Sequence, residues 1–100
     1  MALVSLKLVT IIAEGFLEDK LIREVRRLGA KGYTVTPARG EGSRGVRASE
    51  WEGGNIRLEC IVSPEVAEKI VKRLAEVYFT NFAVIAYLES VEVVRGDKYT

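Results

Sequence analysis

Two arginines three positions apart in a glycine-rich run, Gly40-Glu41-Gly42-Ser43-Arg44-Gly45-Val46-Arg47, are the residues best suited to chemistry in this chain. Glycine lets successive backbone N–H groups turn inward and form a nest for an anion. Each guanidinium adds a planar fork of donors that matches two phosphate oxygens at once. The chemistry this permits is capture of a phosphate, such as that of a nucleotide. The same residues also read as a flexible, solvated loop between two strands, and a glycine pattern alone does not separate the two readings. Arg39 adds positive charge and Glu41 offsets part of it. Trp51 follows among Glu50, Glu52, Gly53 and Gly54. A large ring in a polar loop can anchor a partner or fold back on its own domain.

The composition removes several alternatives. The chain has 100 residues, 48% hydrophobic and 29% charged, with a formal net charge of +1. This suits one globular domain, residues 1–100. The sequence contains no histidine and one cysteine, Cys60. A Ser-His or Cys-His nucleophile is therefore excluded. A zinc site built by one chain is disfavoured, and an internal disulfide is impossible. The balanced charge argues against an extended nucleic-acid or membrane surface. Lys31-Gly32-Tyr33 is a fragment of an RNA-binding sheet motif whose remainder is missing, so no nucleic acid is expected as partner. Glu14, Glu18, Asp19, Glu65, Glu68 and Glu76 read as solvated acids without a catalytic partner. No apolar run approaches the ~20 residues that span a bilayer. Met1–Ser5 leads into alternation rather than a signal-type apolar core. The expectation is a cytoplasmic protein without prosthetic group or metal, and not an enzyme.

The surrounding elements follow from periodicity. Leu6–Ile12 reads as a strand apolar on both faces, hence central in its sheet. Residues 15–28 read as a helix with Leu17, Leu21, Val25 and Leu28 on one stripe, acids early, bases late, and Gly29 as terminator. Gly32–Pro37 is a second strand and Asn55–Val62 a third, the latter by strict alternation of Ile56, Leu58, Cys60 and Val62. Between them runs a loop from about 38 to 54, long enough that function or disorder is expected. Ser63-Pro64-Glu65 opens a second helix, to about Phe79. Phe82–Leu88 reads as a fourth strand, with Ser90–Arg95 extended beyond it as a short extra C-terminal strand.

Strand-helix-strand repeated twice is the ferredoxin-like βαββαβ arrangement, an α+β sandwich with both helices on one sheet face. The other face is expected to carry Val9, Ile11, Ile85 and Tyr87. A small domain does not leave such a patch wet without reason, so an oligomer is expected to cover it.

The runs Gly29-Ala30-Lys31-Gly32-Tyr33-Thr34-Val35 and Gly40–Arg47 resemble PII-type signalling proteins, and in particular the SbtB branch of PII-like proteins. Tyr78–Tyr87 and Val91-Glu92-Val93 are similar to that branch too, so the likeness spans nearly the whole chain. The resemblance implies a homotrimer with nucleotide clefts between subunits. It implies binding of adenine nucleotides (cyclic AMP, AMP, ADP or ATP) and regulation of a membrane bicarbonate transporter in the carbon-concentrating mechanism. By matching position, Arg44 and Arg47 would hold the phosphate. Gly40, Gly42 and Ser43 would shape the base of the loop, which corresponds to the family's T-loop. Backbone groups of Ala83, Val84 and Ile85 would meet the adenine; Trp51 is the candidate for partner docking on its residue type and setting alone. The glycine-rich phosphate loop that follows the second helix in true PII proteins is absent, as is their modified tyrosine, which argues against nitrogen signalling. The alternatives are a carboxysome-associated PII-like protein binding ADP or AMP and bicarbonate, a slow nucleotide hydrolase with Glu41 as its only motif carboxylate, or a structural trimer that docks through Trp51.

Overall fold

The computed structural model of the chain describes residues 2–42, 45–46 and 54–100. In chain order these form β1 (Leu3–Glu14), a 3-10 turn (Gly15–Leu17), α1 (Glu18–Leu28), β2 (Thr34–Ala38), β3 (Glu41–Gly42) and β4 (Gly45–Val46). After these come β5 (Asn55–Val62), α2 (Pro64–Val77), β6 (Ile85–Val94) and a closing 3-10 turn (Gly96–Lys98). The main sheet has the order β2-β5-β1-β6, and each neighbouring pair is antiparallel. Both helices lie on one face, which is the ferredoxin-like α+β sandwich.

Local chemistry sets the element ends. Ser63 Oγ accepts from Val66 N–H at 3.2 Å and caps α2, with Pro64 at its first turn. Gly29 ends α1 at φ +129°, a conformation that side chains with a Cβ rarely adopt, and its N–H donates to Arg26 O. Across the two helices Glu24 is held by Arg73 from α2 and Arg27 from its own helix.

The core lies between helices and sheet. Val9, Ile11 and Ala13 of β1 and Ile56, Leu58, Cys60 and Val62 of β5 meet Leu21 and Val25 of α1 and Ile70 and Leu74 of α2. Burial pushes the Cys60 thiol up to about 11, so it is held as a neutral, small apolar group.

Two expectations need correction. Val9 and Ile11 are fully buried against the helices, not on the helix-free face. The register shows why: Val9 stands opposite Cys60, and Ile11 opposite Leu58, both core residues. The helix-free face of β1 is the set Leu6, Leu8, Thr10 and Ile12. Because both faces of the strand are apolar, alternation separates the sets without saying which one meets the helices. Ile85 and Tyr87 do lie on the helix-free face, opposite Ile12 and Thr10, and are 43% and 42% exposed. The second correction concerns Ser90–Arg95. Residues 90–94 are not a separate strand but the far half of β6, paired without a break to Leu3–Lys7.

Candidate functional site

Four strand ends converge at one end of the sheet. β1 finishes at Glu14, β2 at Ala38, and β5 and β6 begin there at Asn55 and Ile85. The long loop leaves and returns at this end, because Ala38 pairs with Asn55 across β2 and β5. Its return is fixed twice. Gly54 sits at φ +71°, a left-handed backbone that glycine tolerates without strain. Gly54 O then accepts from Gly15 N–H at 2.7 Å, which ties the loop to the turn after β1.

Inside the loop, β3 and β4 form a two-residue ladder with Glu41 opposite Val46 and Gly42 opposite Gly45. Gly42 is thus a ladder residue, and Gly40 lies exposed between β2 and that ladder. A Cβ built on Gly40 would meet nothing within 4 Å, so its neighbourhood leaves open room. Ser43, Arg44, Arg47 and Trp51, named from sequence as phosphate and partner residues, lie outside the described residues.

Ala83, Val84 and Ile85 form the entry to β6. Val84 is buried, and its N–H already donates to Phe82 O at 2.9 Å. Ile85 opens the strand opposite Ile12. Nearby, Phe16 is 55% exposed and packs on Phe82 with ring centroids 6.0 Å apart. An exposed ring held by a second ring is a ready surface for another flat group.

The sequence did not single out the residues between the end of β2 and the start of β5. A cavity of about 290 Å³ is lined by Glu18, Val35, Thr36, Pro37, Asn55 and Ile56. Asn55 is buried there, and its Oδ1 has no hydrogen-bond partner among the described residues. A buried, unmatched carbonyl at the loop base is an acceptor that a ligand or the loop itself can satisfy. The only sequence signal was Asn55 directly after Gly53-Gly54, a turn pair. Among the described residues no group of three or more His, Cys, Asp or Glu could hold a metal. None of their helices is long and apolar enough to cross a membrane.

Residues 6–98 match the family described as Nitrogen regulatory protein P-II. A crystal structure of a protein from Thermus thermophilus, described as a PII-like signaling protein, is 68% identical. The match covers 100% of both chains with a TM-score of 0.89. CPII from Thiomonas intermedia, a nitrogen regulatory PII-like protein bound to ADP, AMP and bicarbonate, matches with a TM-score of 0.88 over 98% of this chain and 96% of its own. At 24% identity that second likeness is one of fold.

Proposed function

The chain belongs to the P-II family and is a PII-like signalling protein; from that premise we propose that it senses adenine nucleotides in clefts between subunits of a homotrimer. Its output, on this reading, is control of a membrane bicarbonate transporter, as the SbtB-like branch implies. The ligand phosphate pairs with Arg44 and Arg47, the adenine lies along the Ala83–Ile85 entry to β6, and Trp51 docks on the partner.

One observation carries this reading. The loop springs from β2 and the adenine-side residues open β6, and these strands are the two opposite edges of the sheet. Three interstrand steps separate them, ~14 Å, yet both lie at the same end. A nucleotide gripped by both is accommodated most directly where one subunit's loop meets the next subunit's β6. The apolar patch of Ile12, Ile85 and Tyr87 supplies the surface on which the subunits pack.

Signalling then needs a loop with two states and a ligand that prefers one of them. A charge-assisted arginine contact supplies ~1.5–3 kcal/mol, enough to shift a marginal loop several-fold or more. Arg44 and Arg47 make that preference because they meet the phosphate in only one loop state.

Calorimetry with cyclic AMP, AMP, ADP and ATP, each with and without bicarbonate, tests the proposal on wild type and on Arg44→Ala/Arg47→Ala. Bicarbonate belongs in the panel because CPII holds it beside ADP and AMP. Wild type should bind at least one nucleotide, and the double variant should lose it while staying folded. Equal affinity in both proteins would remove the arginines from the site. Release of phosphate from ATP with magnesium would instead favour the hydrolase.

A further inference from the structure

The helical layer carries a second concentration of charge that the loop site does not use. A groove of about 430 Å³ runs between α1 and the end of α2, lined by Lys20, Arg23, Arg27 and Arg73 together with Glu24, Val77 and Tyr78. Four cations thus surround one carboxylate.

That carboxylate is fully engaged. Glu24 Oε1 accepts from Arg27 Nε at 3.2 Å and from Arg27 Nη2 at 2.8 Å. Glu24 Oε2 accepts from Arg73 Nε at 2.7 Å and from the Tyr78 hydroxyl at 3.2 Å. The buried acid therefore acts as an anchor that fixes two guanidinium groups at the groove. Lys20 Nζ stands 5.9 Å from the centre of the Tyr78 ring. Neither Lys20 nor Arg23 makes an ion pair among the described residues.

Glu24 alone cannot neutralise four positive charges, and Glu76, which acts on Arg73 from α2, offsets part of the remainder, so the groove keeps a net positive charge of about two. Like charges held together raise the local potential and favour an incoming anion of matching charge. Pre-set arginines also reduce the ordering cost that such binding would otherwise carry. The volume suits a small molecule, and the ring of cationic heads suits phosphate oxygens rather than an apolar body. The groove opens on the helix side, away from Ile85 and Tyr87, so a copy packed on the helix-free face leaves it accessible.

We propose that this groove is a second anion site, separate from the 40–47 loop, that takes a small phosphorylated molecule of two or more negative charges. The probe is inorganic pyrophosphate, followed on the full chain by calorimetry and by nitrogen-15 NMR. The comparison is with Lys20→Gln/Arg23→Gln, which leaves the Glu24 anchor intact, and with Arg44→Ala/Arg47→Ala. Binding should saturate and shift signals of Lys20, Arg23, Arg27 and Arg73. It should weaken by about tenfold or more in the groove variant, the effect of losing a charge-assisted contact. The loop variant should leave it unchanged. Shifts confined to the loop would overturn the proposal, as would equal affinity in the groove variant. So would a response matched by sodium chloride at equal ionic strength, which is screening alone. Binding of an acidic peptide or of anionic vesicles at the groove, with none of pyrophosphate, would also overturn it.

Discussion

Glu24 and Arg73 lie 49 positions apart in the chain, yet Arg73 Nε donates to Glu24 Oε2 at 2.7 Å and links the two helices. Burial raises the Glu24 carboxyl, while hydrogen bonds from Arg73 and Arg27 lower it further than burial lifts it. The result lies below the ordinary value of 4.5. A folded pKa below the unfolded one means that the ionised group stabilises the fold above about pH 4.5, and that this contribution fades as pH falls through the folded value. Glu24→Gln should therefore cost about 1–2 kcal/mol at neutral pH, the worth of charge-assisted bonds whose arginine partners are half exposed. Urea unfolding across a pH series should show the two proteins converging in acid. A gap that stays constant down to low pH would mean that packing, not charge, sets the difference.

Gly29 is constrained by both backbone and space. At φ +129° a Cβ would sit 2.9 Å from Val66 Cγ2, on the first turn of α2. Gly29→Ala has to strain the turn and push Val66 aside together. The expected loss is about 1–3 kcal/mol, read as a lower thermal midpoint with no change in ligand affinity. Gly32→Ala is the control, since nothing lies within 4 Å of its Cβ position.

Cys60 should be silent to thiol reagents while the protein is folded. Its pKa of about 11 leaves only on the order of one thiolate in a thousand at mildly alkaline pH, and its side chain is inside the core. Labelling should accelerate sharply in denaturant, in step with loss of circular dichroism. Rapid labelling of the native protein would show that β5 opens locally.

How far the sequence carried this far depends on which physical signal each element had. β5 was legible to its ends, Asn55–Val62, because strict alternation and a serine-proline helix start bracket it. The helix expected over 15–28 starts properly only at Glu18, since Gly15–Leu17 is a 3-10 turn. The side of β1 that meets the helices was not legible, because two apolar faces carry no such signal. At the site, the glycines flanking the arginines were readable as a motif. Among the described residues of the site, the glycine at positive φ is Gly54, outside the motif. Asn55 lies on the face opposite Ile56, Leu58, Cys60 and Val62 and is buried, while Arg57 on the same face is exposed, so alternation along β5 does not mark it.

Ile85 and Tyr87 stand beside Ile12 and Thr10 on a sheet face that no helix covers. Water contact with apolar surface costs roughly 25 cal/mol per Å², so packing copies on this face is favourable, and a buried carboxylate there is not. Tyr87→Asp should shift the mass at micromolar concentration from trimer toward single chains, read by light scattering. Nucleotide binding should fall with it, because the proposed cleft is shared by two subunits. Val94→Asp is the matched control. Val94 is as exposed as Tyr87 but pairs with Leu3 on the opposite face parity, so its charge stays in solvent and the trimer should persist. A Tyr87→Asp protein that keeps both its trimer mass and its nucleotide affinity would move the subunit contact, and with it the proposed cleft, to another surface.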